Sequence, residues 1–114
     1  MHARLRAAFE DEMRAAVRHL EKRRLAPAFF HAQRAHVLGQ QYVIPHVRTH
    51  WLMLRLGLAR RVPGEIGGQL GRILLGAIGS AIGRVPVGNT GGCDISMFQR
   101  LPLDPALSKI INDV

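Results

Sequence analysis

The chain is poor in several residue types, and each scarcity excludes something. It has one cysteine, Cys93, among its 114 residues. An intramolecular disulfide framework and a cysteine-rich zinc fold are therefore excluded, and a reducing compartment is implied. Aromatic residues make up only 5%, few for a basic surface interleaved with rings that stack on nucleic acid. The N-terminal stretch MHARLRAAFEDEMRAAVRHLEKRR contains no uninterrupted apolar run. No signal peptide is visible in it, and a cytoplasmic protein is expected. The length predicts one domain over 1–114, with a helical body over 1–84 and an extended Gly-rich loop and short terminal helix over 85–114. A hydrophobic content of 47% is enough to bury a core and argues against intrinsic disorder.

Acidic residues are the most informative shortage. Lys and Arg number 16 against 8 Asp and Glu, a formal charge of +8. The excess is local: from Lys22 to Gly64 there is no carboxylate, while Lys22, Arg23, Arg24, Arg34, Arg48, Arg55, Arg60 and Arg61 all fall there. Arg34, Arg48, Arg55, Arg60 and Arg61 are the candidate contacts for an anion or an acidic partner.

The pattern that fills the chain is helical. Leu5, Phe9, Met13, Ala16 and Leu20 recur at spacings of three and four, one face of a helix ending near Arg23 and Arg24. Pro27 suits the first turn of a second helix running to Gln40, apolar on more than one side. Pro45 is expected to open a third, from His46 to about Arg60, and Pro63-Gly64 to precede a fourth, from Glu65 to Gly83. The fourth is diluted by Gly67, Gly71, Gly76, Gly79 and Gly83, each costing up to roughly 1 kcal/mol relative to alanine. Close helix approach is the expected compensation, so this helix, 65–83, is a candidate homo-oligomer contact. Gln69 and Arg72 interrupt it, and no transmembrane span is expected. Asp104-Pro105 should start a short terminal helix. The expected fold is all-α: four main helices in two antiparallel hairpins, repeat-like or a bundle, closed by the Gly-rich loop and the short helix.

Histidines share the basic segment. At about 100° per residue, His46 and His50 fall on one arc of the third helix with Val47, Trp51, Met53, Leu54, Gly57 and Leu58, opposite Arg48 and Arg55. On the second helix His36 groups with Phe29 and Ala32, while His31 lies about 140° away. The His46-x-x-x-His50 spacing lets two imidazoles reach one metal ion, with His36 as a third ligand. Glu12, His19 and His31 are further candidates. Such a set suits a soft transition metal, and two of the histidines could instead ligate a haem. The alternative is that each inward histidine is a buried residue satisfied by one or two hydrogen bonds and that no cofactor is bound.

Three segments together are distinctive: Arg34-Ala-His-Val-Leu-Gly-Gln40, Pro45-His-Val-Arg-Thr-His-Trp-Leu-Met-Leu54 and Arg84-Val-Pro-Val-Gly-Asn-Thr-Gly-Gly92. With them the chain resembles, over nearly its whole length, a family of short bacterial proteins catalogued as domain of unknown function 3703. The resemblance implies no activity. It marks His36, Gly39, Gln40, His46, Arg48, His50, Trp51 and the loop Gly88, Asn89, Thr90, Gly91 and Gly92 as characteristic positions. Gln33 stands where the family pattern has Glu, and Cys93 where it has Ala.

The loop from Gly88 to Gly92 could form a nest of backbone N–H groups, but it lacks the Gly-Lys-Ser/Thr of a phosphate loop. Cys93 has no basic neighbour in sequence to activate it. No catalytic constellation is legible. Three readings follow: a non-enzymatic binding or accessory protein with a His-lined metal or haem site between helices 2 and 3, a ligand-free helical interaction module, and a basic nucleic-acid-binding protein.

Overall fold

A computed structural model describes residues 1–61, 63–83, 89, 91 and 100–112. These form five helices: α1 (Ala3–Glu21), α2 (Leu25–Gly39), α3 (Val43–Arg60), α4 (Pro63–Ala81) and α5 (Pro105–Asn112). No strand occurs among the described residues. The helices α1 and α2 pack as one pair and α3 and α4 as another, the two pairs meeting chiefly through α2 and α3. The result is the all-α bundle expected from the periodicity.

His2 caps α1, its Nδ1 accepting from the Leu5 N–H at 3.1 Å. From that helix Leu5, Phe9, Met13 and Ala16 are buried as their spacing predicts. They meet Ala28, Ala32 and Ala35 of α2, each with no exposed surface. Alanines at intervals of four and three keep this ridge low, so the helix axes can approach. At its end Gly39 continues the contact: a β-carbon there would lie 2.8 Å from the Phe9 ring and 2.9 Å from Pro45 Cβ. Between α1 and α2 the chain reverses at Arg23, and α3 ends at Arg61; both have left-handed φ values of 59° and 58°, the conformation a glycine normally supplies.

Pro27 and Pro45 sit two residues inside the helices they were expected to open, and Pro63 is the first residue of its helix. Leu25 starts α2 ahead of Pro27, Val43 starts α3 ahead of Pro45, and α4 begins at Pro63 itself rather than Glu65. All three fall in the first turn, where a missing N–H costs no intrahelical bond.

The inward arc of α3 is rotated from the expected one. Thr49, Leu52 and Leu56 are buried along with His46, His50, Met53, Leu54 and Gly57, while Trp51 and Leu58 are more than half exposed. The helix lies between α2 and α4, so two neighbours press on it from different sides and its buried arc is wider than a single apolar stripe suggests. The short α5 seats Leu107 against the α1–α2 pair. Of the Gly-rich loop only Asn89 and Gly91 are described; Gly88, Thr90, Gly92 and Cys93 lie outside the described residues.

Candidate metal centre

His36 stands in the last turn of α2, His46 in the first turn of α3 and His50 one turn further on. The short link between α2 and α3 brings these turns side by side. The three rings converge: His36 Nε2 lies 3.0 Å from His46 Nε2 and 3.1 Å from His50 Nε2. All three residues are at most 4% exposed.

The outer nitrogen of each ring is held by an acceptor. His36 Nδ1 lies 2.6 Å from the Asn89 carbonyl oxygen, which can only accept, so this nitrogen carries a proton. His50 Nδ1 lies 2.6 Å from Gln69 Oε1. The Gln69 amide is oriented by its own Nε2, which donates to the Gly91 carbonyl at 3.0 Å. His46 Nδ1 lies 2.6 Å from Ser80 Oγ. That hydroxyl donates its proton to the Gln40 carbonyl at 2.6 Å, leaving Oγ to accept from the ring; the Gly76 backbone carbonyl is also within reach of this imidazole. With Nδ1 protonated in all three rings, each neutral imidazole presents a bare Nε2 lone pair. The bare Nε2 atoms of His46 and His50 both crowd that of His36.

That arrangement is unfavourable unless a cation enters it. Burial opposes a proton: it pushes His46 and His50 down to about 4, and His36 well below its ordinary value, with neighbouring imidazoles adding repulsion at His36 and His50. A metal ion relieves it better. In a tetrahedral site with bonds of roughly 2.0–2.1 Å, adjacent nitrogens stand about 3.3 Å apart, close to the two spacings from His36, and the ligand atoms of all three residues lie within 4.8 Å of one another. The Nδ1–H bonds are the outer hydrogen bonds that fix tautomer and ring direction in metal-ligating histidines. A porphyrin does not fit, since two axial imidazoles must lie on opposite faces of its ring and these are in mutual contact.

Two glycines press on the rings. A β-carbon on Gly91, whose φ is +81°, would lie 2.5 Å from His36 Cδ2, and one on Gly76 would lie 2.9 Å from His46 Cε1. Asn89 Oδ1 accepts from the Gly91 N–H at 2.8 Å and so holds the turn that carries both carbonyls. Gln40, one turn beyond His36, is 1% exposed, and its amide atoms have no hydrogen-bond partner among the described residues.

The other candidate ligands form a separate cluster between α1 and α2. Glu12 accepts from Arg34 Nε at 2.8 Å and pairs with His31 Nδ1 at 2.6 Å, and His19 stacks on the His31 ring. None of these joins His36, His46 and His50, the one group with metal-ligand spacing among the described residues. The candidate anion-binding arginines are divided as well. Arg34 also reaches Asp104 at 3.8 Å, Arg48 holds both oxygens of Glu10, and Arg60 lies over the Phe29 ring, while Arg55 and Arg61 are exposed. Gln33 lines a cleft under α5 with Phe30 and Leu107, away from His36, His46 and His50.

Sequence reasoning missed Gln69, Gly76 and Ser80. Their signal is a spacing of seven and four along an otherwise apolar helix, which places them on one face.

Fold and site together define an all-helical protein with a buried cluster of three histidines. The chain belongs to the family DUF3703, described as a protein of unknown function, whose model matches residues 3–111. No curated protein and no solved structure matches it.

Proposed function

We propose that the chain is a metal-binding accessory protein in which His36, His46 and His50 hold one transition-metal ion through Nε2. The observation that carries this reading is the convergence of three Nε2 atoms whose rings all have Nδ1 committed to an acceptor. Three neutral nitrogen donors without a carboxylate suit zinc, copper or nickel and disfavour magnesium and calcium. Arg72 adds positive potential at His36 and His50, which favours a monovalent ion such as copper(I), or a divalent ion with an anion completing its coordination. Gln40, the C-cap residue one turn beyond His36, carries a buried amide without a partner among the described residues and would be available to hydrogen-bond such a fourth ligand. Binding rather than catalysis is the proposed role, because the ligands are enclosed and no nucleophile with a base and an orienting group stands beside them among the described residues.

The test is metal content of untagged protein, stripped with chelator and reloaded with zinc, copper or nickel. One ion per chain is expected, with loss in His36→Ala, His46→Ala and His50→Ala. Wild-type protein that takes up none of them at high affinity, or single variants that retain it equally, would overturn the reading.

A ligand-free interaction module is supported by one separate observation, the exposed apolar side of α4. Its signature is a loss of stability in His50→Ala with no metal to lose. Nucleic-acid binding is less well supported, because Arg34 and Arg48 are engaged by carboxylates of the same chain.

A further inference from the structure

The helix α4 has a buried inner side that carries the polar partners of the histidines and an apolar outer side that none of the other described helices covers. Its inner face, Gln69, Gly76 and Ser80, is buried, and among the helices α4 packs against α3 alone. At about 100° per residue, Leu70, Leu74, Ile78 and Ile82 form a ridge on the opposite side, with Gly67 and Gly71 set into it. These four large residues are 51–65% exposed. No charged residue lies on that ridge.

The glycines separate into two kinds. Gly39, Gly76 and Gly91 have no room for a β-carbon, and Gly83 and Gly91 have positive φ. Gly67 and Gly71 are helical, yet a β-carbon on either would meet nothing within 4 Å. Inside the protomer both positions favour alanine over glycine, which costs a helix backbone entropy. Among the described residues nothing supplies a reason for glycine there; a second helix whose backbone approaches across the Gly67-x-x-x-Gly71 notch would supply one.

We infer that α4 is the contact of a homodimer, two copies packing ridge to ridge across the Gly67–Gly71 notch about a two-fold axis. A second copy fits because the same uncharged, self-complementary face is available on both sides of an isologous contact. With Leu75, the ridge exposes on the order of 500 Å² of apolar side chain, at the upper end of what a monomer leaves in one patch. Two such faces supply about 1,000 Å² before the glycine backbone is counted, the size at which specific interfaces begin. A lipid surface is the competing occupant, but interfacial helices are rich in Lys and Arg beside the apolar face, and the described part of α4 carries Arg72 alone. Since Gln69 and Ser80 of α4 orient His50 and His46, dimerisation would brace the outer wall of the histidine site.

Sedimentation equilibrium of the metal-free protein tests this independently of any bound ion. A dimer at micromolar concentration is expected, with Leu74→Glu monomeric yet helical by circular dichroism. Gly67→Ala and Gly71→Ala give the discriminating sign. In a dimer each weakens self-association, by roughly tenfold, although both raise intrinsic helix stability. A wild-type monomer, a Leu74→Glu protein that remains dimeric, or alanine variants that associate undiminished would each overturn the proposal. A monomer that floats with lipid vesicles would overturn it in favour of a membrane surface. Should Leu74→Glu fail to fold, the alanine variants carry the test.

Discussion

Gly76 lies against the ring of His46, so close that a β-carbon would stand 2.9 Å from Cε1. Helix propensity alone favours Gly76→Ala by up to about 1 kcal/mol. The methyl group would instead push the His46 ring from its place between Ser80 and the other imidazoles. Metal affinity is expected to fall at least about tenfold, with little or no gain in thermal stability. Competition titration against a chromophoric chelator and a thermal melt check both; unchanged affinity with a higher melting temperature would show that the ring is not held there.

Gln69 links His50 to the Gly91 carbonyl. In Gln69→Leu the His50 N–H and that carbonyl lose their shared partner in a buried site, at a cost of about 1–3 kcal/mol. The freed ring should also lower metal affinity by roughly 10–100-fold. Denaturant unfolding and metal competition measure the two effects, and Gln69→Glu, which keeps the acceptor, should restore most of the affinity.

Acid should destabilise the metal-free chain. His46 and His50 fall to about 4 in the folded protein, and His36 is lower than usual as well, all because burial disfavours the charged ring. The unfolded chain keeps ordinary values near 6.5 and therefore binds more protons between about 6.5 and 4. The stabilisation is fully present above the upper value and is lost as pH falls toward the lower one. Urea midpoints at neutral pH and near pH 5 should differ, and much less so in a variant with all three histidines replaced by Gln.

Glu12 tests the separation of the two histidine groups. It binds Arg34 and His31 between α1 and α2, and it does not join the converging rings. Glu12→Ala should cost on the order of 1 kcal/mol through the lost part-buried ion pair with Arg34 and the hydrogen bond with His31 while leaving metal stoichiometry and affinity as in the wild type. A lost ion in this variant would place Glu12 at the metal after all.

Much of the fold was written locally. The three- and four-residue spacing of Leu5, Phe9, Met13 and Ala16 specifies the buried side of α1 because a helix presents one face every 3.6 residues, and prolines mark the first turns because they need no N–H there. The extent of burial on α3 was not legible, since it depends on having α2 and α4 on two sides. Trp51 and Leu58 therefore ended outside, and Thr49 and Leu56 inside.

The shortage of carboxylates between Lys22 and Gly64 is a fact of the sequence alone, and so is the grouping of His36, His46 and His50 within it. Tertiary structure decided what each means. Glu10 and Glu12 on α1 reach Arg48 on α3 and Arg34 on α2, so part of the charge that looked available is neutralised within the chain. The histidines gain their direction from Asn89, Gln69 and Ser80, which lie 19 to 53 residues away. Spacing along a helix can bring imidazoles to one face, but which nitrogen of each ring is left bare depends on the acceptor opposite it, and only the packed fold supplies that.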